Sequence, residues 1–225
     1  MKIYKKLSNF FEIRHQKKIE KYLKKKDINF FIDVGAYEGN FLNNLNNKNI
    51  KNAFFFEPNT KQFIKLKKKL KKFSIHKFAI SNKVKSSKFL INTNQVTTST
   101  LEDVLDKRNF LFFLKTKILG MNYDKSIVIK TNTLDNFFKD KKIKKKSLLK
   151  IDTEGNDLNV LKGGKKTLKN IKYVIIECKK FNFYKNNSKL EIERFMLNKK
   201  FKQIKIFSTF PFIYQDILYE NKYIK

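Results

Sequence analysis

The chain has one cysteine, Cys178, which excludes an intramolecular disulfide. Cysteine and histidine do not cluster anywhere with the spacing of a zinc site. No apolar run approaches the ~18 residues that a membrane-spanning helix needs. The basic segment 1–26 also lacks the continuous apolar stretch of a signal peptide. These absences predict a cytoplasmic protein without a zinc site.

Acidic residues are few: 20 Asp and Glu residues stand against 52 Lys and Arg residues, and the formal net charge is +32. Such a surface attracts anions, and the phosphates of nucleic acid bind clustered basic side chains. However, arginine, which favours base readout and bidentate phosphate contacts, occurs only at positions 14, 108 and 194. Because Lys, Asn, Ile and Phe share AT-rich codons, we interpret the charge as a coding bias. Nucleic acid is not an expected partner.

Linkers rich in Pro, Gly or Ser are absent, as are internal repeats, and 225 residues suffice for one domain with a sizeable core. Apolar spacing predicts a helix over 1–26. We divide the chain into an N-terminal helical segment, 1–28, and a main domain, 29–225. The segment is expected to pack on the domain, and the alternative is peripheral contact with an anionic membrane.

Apolar runs alternate with helical patterns in the main domain, which is typical of a parallel sheet with right-handed crossovers. The predicted core strands cover 28–34, 53–57, 73–80, 147–152 and 173–177, with short strands at 88–91 and 126–130 and a closing antiparallel pair at 201–207 and 213–219. The predicted helices cover 39–47, 59–71, 134–139, 157–168 and 190–198. Residues 110–119 fit either a lid, a substrate-facing insertion or a core helix.

Three apolar runs end in a carboxylate, at Asp33, Glu57 and Asp152. Ligands of open α/β sheets bind outside the carboxyl ends of the strands, so these side chains predict a pocket with an acidic floor. The first turn reads Gly-x-x-x-Gly, from Gly35 to Gly39, and lacks the pyrophosphate fingerprint Gly-x-Gly-x-x-Gly. An acidic floor also suits a cationic sulfonium better than a pyrophosphate. The sequence therefore favours S-adenosylmethionine over a dinucleotide.

Five motifs follow one another in the chain: Asp-Val-Gly-Ala-x-x-Gly from Asp33, Phe-Glu-Pro from Phe56, Thr-Leu-Asp from Thr133, Lys-Ile-Asp-Thr-Glu-Gly from Lys150 and Leu-Lys-Gly-Gly from Leu161. In this order they resemble the FkbM-type methyltransferases, from about residue 29 to residue 220. The resemblance implies an S-adenosylmethionine-dependent enzyme with the Rossmann-like class I methyltransferase fold. That fold is an α/β three-layer sandwich whose seven-stranded, mostly parallel sheet has an antiparallel closing strand. Tyr37 departs from the family, which usually carries asparagine there.

The expected cofactor site begins at the glycine turn. Gly35 and Gly39 let the backbone approach a ligand closely, and helix amides at this turn offer donors to the methionyl carboxylate. Asp33 orients the turn or accepts from the amino group of the ligand. Glu57 stands where a dinucleotide fold binds ribose hydroxyls, and the resemblance implies the same role. The adenine ring is expected at the end of the third strand; the predicted cofactor-binding residues are Asp33, Gly35, Tyr37, Gly39, Glu57, Ala79, Ile80 and Asp152, with Ser81 and Asn82 at the edge of the adenine.

The predicted catalytic residues are Asp152, Glu154 and Lys150. Methyl transfer depends on positioning, and a hydroxyl acceptor gains from a base. Asp152 is the first candidate for that base or for binding the amino end of the cofactor. Lys150 neutralises these carboxylates or binds the acceptor, and Glu177 completes an acidic rim. In the alternative interpretation, Asp152 and Glu154 only cap the helix near Asp157, which stabilises it by ~1 kcal/mol.

No metal is expected, although carboxylates such as Asp152 and Glu154 suit Mg²⁺, and His15 and His76 are assigned no catalytic role. The predicted function, as the resemblance implies, is O-methyl transfer to a hydroxyl of a sugar, glycolipid or related small acceptor. One alternative is an RNA methyltransferase, which the charge suggests but for which no Asn-Pro-Pro-Tyr element is found. The other is a non-catalytic binder of anionic surfaces, which leaves the carboxylates unexplained.

Overall fold

The computed structural model describes residues 2–45, 49–94, 96–105, 110, 123–179, 184–185, 187–208 and 214–224. Of the segment 110–119, for which the sequence left three interpretations open, residues 111–119 lie outside the described residues. The strands are β1 (Phe30–Val34), β2 (Asn52–Phe56), β3 (Ser74–His76), β4 (Ala79–Ile80), β5 (Lys85–Ile91), β6 (Thr100–Leu101), β7 (Lys125–Asn132), β8 (Ser147–Ile151), β9 (Tyr173–Lys179), β10 (Phe201–Ser208) and β11 (Tyr214–Asn221). The α-helices are α1 (Lys2–Leu23), α2 (Asn40–Leu45), α3 (Thr60–Lys69), α4 (Leu134–Phe138), α5 (Asp157–Lys162) and α6 (Lys189–Asn198), and 3₁₀-helices cover Val96–Thr98, Glu102–Val104 and Thr167–Asn170.

The main sheet has seven strands in the order β10-β11-β9-β8-β1-β2-β3. The neighbours from β9 to β3 pair in parallel, whereas β11 runs antiparallel to both β9 and β10. The predicted sheet, mostly parallel with an antiparallel closing strand, is confirmed. Because the parallel strands end at one edge, the residues that follow β1, β2 and β8 meet there.

Helices cover both faces of this sheet, which gives the predicted three layers. On one face, Leu23 of α1 and Leu66 of α3 share a buried cluster with Phe31. On the other face, Met196 of α6 shares a cluster with Ile32. Neighbouring residues of β1 therefore enter opposite cores, and this is why the strand reads as a continuous apolar run.

A second sheet of four strands, in the order β4-β7-β5-β6, was not predicted as a sheet. The predicted short strands at 88–91 and 126–130 lie within β5 and β7, and these two pair with each other antiparallel. The single predicted strand 73–80 is wrong, because β3 ends at His76 and Ala79–Ile80 form β4 of the second sheet. Strand β3 cannot continue in the main sheet, because its neighbour β2 ends at Phe56, opposite His76. Ala79 and Ile80 pair instead with Thr131 and Asn132 of β7.

The predicted helix over 157–168 is interrupted. Helix α5 ends at Lys162, and a separate 3₁₀-helix begins at Thr167. The break coincides with Gly163, where a Cβ atom would lie 2.1 Å from the carbonyl oxygen of Ser81. The backbone that follows β4 therefore packs directly on Gly163. The other predicted helices agree with the structure to within a few residues.

Helix α1 packs on the main sheet through its carboxyl-terminal half. The side chains of Ile19 and Leu23 are inaccessible to solvent, and Tyr22 contacts the ring of Phe207 at a centroid distance of 5.6 Å. The sequence predicted packing of this segment on the domain, with peripheral contact with an anionic membrane as the alternative. The boundary between segments 1–28 and 29–225 stays a prediction. Within the described residues, no helix combines the length and apolar character of a membrane span.

Candidate active site

The glycine turn, Gly35 to Gly39, follows β1 and lies between the ends of β2 and β8. Gly35 has φ +81° and Gly39 has φ +70°, values that favour glycine. The amides of Gly35 and Ala36 both donate to the carbonyl of Phe56 at 3.1 Å. A Cβ atom on Gly35 would lie 1.9 Å from the carbonyl oxygen of Asp152. This position therefore excludes any side chain, and it brings the turn into contact with the loop after β8.

Glu57 holds the glycine turn to the start of α3. Its Oε2 accepts from the amide of Tyr37 and its Oε1 from the amide of Asn59, each at 2.8 Å. Burial raises the pKa of Glu57 to about 7, and this effect outweighs the hydrogen bonds from the two amides, which act in the opposite direction. Each carboxylate oxygen has a second lone pair, so the side chain can still accept hydroxyl donors from a ligand. Tyr37 itself has φ +49°, a conformation that is uncommon outside glycine.

Asp33 is a fully buried carboxylate beside this turn. Neither of its oxygens accepts a hydrogen bond from the described residues, and the Nζ atom of Lys150, 3.5 Å from Oδ1, acts as an ion-pair partner. Burial raises the pKa of Asp33 to about 6. Buried polar groups normally have hydrogen-bond partners, so a strand-end carboxylate that accepts none from the described residues fits a ligand that brings its own donors, such as an ammonium group.

Lys150 links this carboxylate to the loop after β8. Its Nζ lies 3.1 Å from Asp152 Oδ2. Burial disfavours the ammonium charge, but the carboxylates of Asp152 and Asp33 more than offset this and raise the pKa of Lys150 above its ordinary value. The side chain of Asp152 is 33% exposed, against 10% for Glu154 and 16% for Glu177. Asp152 is therefore the carboxylate of this group that solvent, and hence an acceptor, reaches most easily.

Glu154 is held by groups from three parts of the chain. The hydroxyl of Tyr184 donates to its Oε2 at 2.8 Å, and Nζ of Lys179 lies 3.3 Å from the same oxygen. Lys179 also forms an ion pair with Glu177. The carbonyl of Glu154 accepts from the hydroxyl of Thr100, in the second sheet, at 2.6 Å. The second sheet is thus joined directly to the loop that carries the predicted catalytic carboxylates.

Asp152, Glu154 and Glu177 form one acidic cluster, because each offers a carboxylate oxygen within 4.8 Å of the others. Lys150 contacts this cluster at the Asp152 end and Lys179 at the opposite end. Burial is the largest of the effects that raise the pKa of Glu177. Carboxylates at such spacing are able to hold a divalent cation, and a metal-free site stays a prediction.

The helix-capping alternative does not match the geometry. Within the described residues, the side chain of Asp152 accepts a hydrogen bond from Lys150, and the side chain of Glu154 accepts from Lys179 and Tyr184. The first turn of α5 is served instead by Asn187, whose Oδ1 accepts from the amide of Leu158 at 2.8 Å.

The residues predicted to surround the adenine ring are buried in the packing. Ile80 belongs to the core of the main sheet and Ala79 to that of the second sheet. Ser81 and Asn82 donate to asparagine side chains at the start of α5, each at 3.1 Å. The polar groups of this segment are therefore partnered within the chain, and the adenine contact stays a prediction.

Neither histidine joins the group around Asp152. His15 of α1 is fully buried, and its Nε2 lies 2.7 Å from Asp216 Oδ2 on β11. His76 stacks on Phe56 with ring centroids 5.3 Å apart. The predicted site residues that the structure does bring together are Asp33, Gly35, Tyr37, Gly39, Glu57, Lys150, Asp152 and Glu154.

Sequence reasoning missed Lys179 and Tyr184. Lys179 could have been found, since it follows Glu177 by two residues and side chains at that spacing share a face of a strand. Tyr184 gives no such signal, because it reaches Glu154 only through the tertiary fold.

Several solved structures of methyltransferases have a similar fold. A proposed tRNA (m1A22) methyltransferase from Streptococcus pneumoniae, in complex with S-adenosyl-L-methionine, has a TM-score of 0.51 and 13% identity, over 92% of this chain and 74% of that one. TrmK of M. capricolum, in complex with S-adenosyl-homocysteine, has a TM-score of 0.48 and 11% identity, over 90% and 67%. Magnesium protoporphyrin IX methyltransferase from Synechocystis PCC 6803 has a TM-score of 0.48 and 7% identity, over 95% and 81%. No curated protein sequence matches the chain significantly.

The seven-stranded, mostly parallel sheet has the Rossmann-like fold of the S-adenosylmethionine-dependent methyltransferases. The family model of the Methyltransferase FkbM domain matches residues 33–203. The chain therefore belongs to the FkbM methyltransferase family, as the sequence motifs predicted, and its cofactor is S-adenosyl-L-methionine.

Proposed function

We propose that the protein is an O-methyltransferase that acts on a hydroxyl group of a sugar, a glycolipid or a related small acceptor. The observation that carries this proposal is the position of Asp152. Its carboxylate follows β8, is 33% exposed, and is oriented by Lys150 at 3.1 Å. A carboxylate that is both oriented and accessible is suited to accept the proton of a hydroxyl group during transfer.

The cofactor is bound by the glycine turn and the two buried carboxylates. When bound, S-adenosylmethionine supplies an electrophilic methyl group on a sulfonium sulfur. Asp33, which lacks hydrogen-bond donors within the described residues, binds the amino group of the methionyl part. Glu57 accepts the ribose hydroxyls through its remaining lone pairs. Gly35 and Gly39 give the turn its left-handed backbone, and Tyr37, Ala79 and Ile80 complete the predicted contacts.

Asp152 has two tasks in this proposal. It would accept the proton of the acceptor hydroxyl as the methyl group passes from the sulfonium sulfur to the hydroxyl oxygen, and its negative charge favours the sulfonium cation beside it. Lys150 fixes the orientation of this carboxylate, because its Nζ atom lies 3.1 Å from Asp152 Oδ2. Glu154 adds negative charge to the same side of the site while its own oxygens remain bound to Lys179 and Tyr184.

A second candidate is methyl transfer to RNA. The net charge of +32 favours contact with a polyanion, and the similar structure from Streptococcus pneumoniae is a proposed tRNA methyltransferase. Against it, the chain has only three arginines, and the acidic cluster would repel phosphates near the reacting atoms. The small hydroxyl acceptor therefore remains the better supported class.

Incorporation of a labelled methyl group distinguishes the two. The purified protein would be incubated with labelled S-adenosylmethionine and with the lipid, glycan and RNA fractions of the source cell, and the variant Asp152→Asn would be treated identically. Label in the glycan or lipid fraction that requires Asp152 is the expected result. Label confined to RNA would replace the first candidate with the second.

A further inference from the structure

Lys179 is a buried cation without a role in the function proposed above. Its side chain is 13% exposed, and its Nζ lies 3.3 Å from Glu154 and contacts Glu177. The Nζ atom of Lys179 also lies over the ring of Tyr214, 5.2 Å from the ring centroid. A lysine that is enclosed in this way can neither move to solvent nor leave its two carboxylates unpaired at low energetic cost.

Tyr184, which packs in the apolar core of the second sheet, also fixes the carboxylate of Glu154. Its hydroxyl donates to Glu154 at 2.8 Å, and its ring rests on Gly155, where a Cβ atom would lie 2.3 Å from the ring. Glu154 has φ +49°, and Thr100 holds its carbonyl at 2.6 Å. Backbone and side chain of Glu154 are therefore both fixed, and its carboxylate is directed to Lys179 rather than to an acceptor.

The cluster needs this cation. Asp152, Glu154 and Glu177 approach within 4.8 Å of one another, and carboxylates at such distances raise one another's pKa unless a positive charge compensates them. The other charged or titratable groups that act on the cluster are Asp33 on β1, Lys150 on β8, Asp216 on β11 with its partner His15 on α1, and the phenols of Tyr123 and Tyr184. Of these, Lys150 is already bound to Asp152 and Asp33.

We propose that Lys179 is a positioning residue of the active site, which holds the carboxylates of Glu154 and Glu177 turned away from the reacting groups so that Asp152 alone faces the acceptor. Tyr184 is the second group that holds Glu154 in this orientation. The inference rests on the proposed role of Asp152, but it concerns groups that do not touch the substrate.

The test measures the affinity for S-adenosylmethionine by calorimetry across a pH series. In Lys179→Met the cluster loses its compensating charge, so the midpoint of the affinity-against-pH curve should rise by about one pH unit or more. Lys179→Arg should restore the wild-type midpoint. The control is Lys172→Met, because Lys172 precedes the same strand at its opposite end and forms an ion pair with Glu220 at 3.0 Å. This variant should keep the wild-type midpoint.

Glu177→Gln provides a test of opposite sign that retains the shape of the side chain. Loss of the negative charge of Glu177 should lower the midpoint, since less negative charge then surrounds the remaining carboxylates of the cluster. The proposal is overturned if both variants leave the midpoint at the wild-type value, or if both move it in one direction. If Lys179→Met does not fold, the Glu177→Gln result decides alone. A failed role for Asp152 would appear differently, as normal turnover in Asp152→Asn with these shifts in cofactor binding preserved.

Discussion

The Nζ atom of Lys150 lies 3.1 Å from Asp152 Oδ2, at the point where β8 ends beside the glycine turn. The same ammonium group lies 3.5 Å from Asp33 Oδ1. One buried cation thus joins the carboxylate proposed to bind the cofactor to the carboxylate proposed to take the proton. Since β1 and β8 are neighbours in which Asp33 is opposite Lys150, the parallel sheet itself creates this arrangement.

Replacement of Glu57 should weaken cofactor binding. In Glu57→Gln the side chain keeps its size but loses its charge-assisted bonds, and the affinity for S-adenosylmethionine should fall by about 1–3 kcal/mol. Glu193→Gln is the control, because Glu193 forms a partly exposed pair with Lys189 on α6. Calorimetric titration of both variants measures the difference. Wild-type affinity in Glu57→Gln would remove this residue from the ribose role.

The affinity for the cofactor should rise with pH through the titration of Asp33. Burial raises the pKa of Asp33 from 3.8 to about 6, so the folded apo protein keeps a proton here that the unfolded chain has released. This group therefore destabilises the apo protein progressively as pH rises between those two values, and fully above about 6. A bound ammonium group relieves that cost, so the affinity should increase about tenfold between about pH 5 and about pH 7.5.

Calorimetry across this range checks the expectation, with Asp33→Asn as the matched variant. The asparagine does not titrate, so its affinity should be lower and should lose the part of the pH dependence that Asp33 contributes. A wild-type curve that stays flat through pH 6 would show that Asp33 does not exchange a proton when the cofactor binds.

Gly35 should tolerate no side chain. In Gly35→Ala the new Cβ atom meets the backbone oxygen of Asp152 and φ is strained, so the turn must move, at a cost of about 1–3 kcal/mol or more. Gly164→Ala is the control, because its closest contact would be the flexible end of the Leu134 side chain at 2.9 Å. Thermal unfolding and cofactor titration of both variants would be compared. Equal effects would mean that the close approach at Gly35 is not what constrains this position.

The cofactor half of the site could be predicted from sequence because it depends on strand ends. A buried apolar run that ends in Asp33, Glu57 or Asp152 fixes both the strand and the edge at which its carboxylate emerges. The order of the five motifs then indicated the FkbM methyltransferase family, which the family model confirmed. At Gly35 and Gly39 the sequence predicted a close approach of the backbone to a ligand, and the structure adds that both have a left-handed backbone.

The rest of the site depends on contacts that no local pattern encodes. Residues 73–80 read as one strand because their apolar character continues, yet strand pairing ends where β2 ends. Helix 157–168 reads as one helix because the pattern does not show that the backbone at Ser81 packs on Gly163. Tyr184 reaches Glu154 across 30 residues of chain, and only the fold reveals that contact.

Helix α1 should stabilise the protein by packing. Leu23 is inaccessible, whereas Ile13 on the same helix is 56% exposed. Leu23→Ala should therefore lower the free energy of unfolding by about 2–5 kcal/mol, and Ile13→Ala should change it little. Sedimentation with anionic vesicles tests the alternative. If α1 is a membrane anchor instead, Ile13→Ala would weaken sedimentation and Leu23→Ala would leave the stability unchanged.

The most direct test of the proposed function is the turnover of Asp152→Asn, measured on the acceptor that the labelling experiment identifies. The variant keeps the shape of the side chain and removes its charge, so turnover should fall by roughly 10²-fold or more, the scale for loss of a positioned acid–base group. The fold should be intact, and Asp103→Asn, at an exposed ion pair with Lys85, should behave as wild type. Lost turnover with near-normal cofactor affinity would assign Asp152 as the base, and weakened affinity would assign it to the cofactor. Turnover within a few-fold of wild type would contradict the proposed role of Asp152 and would show that another group carries out the proton transfer.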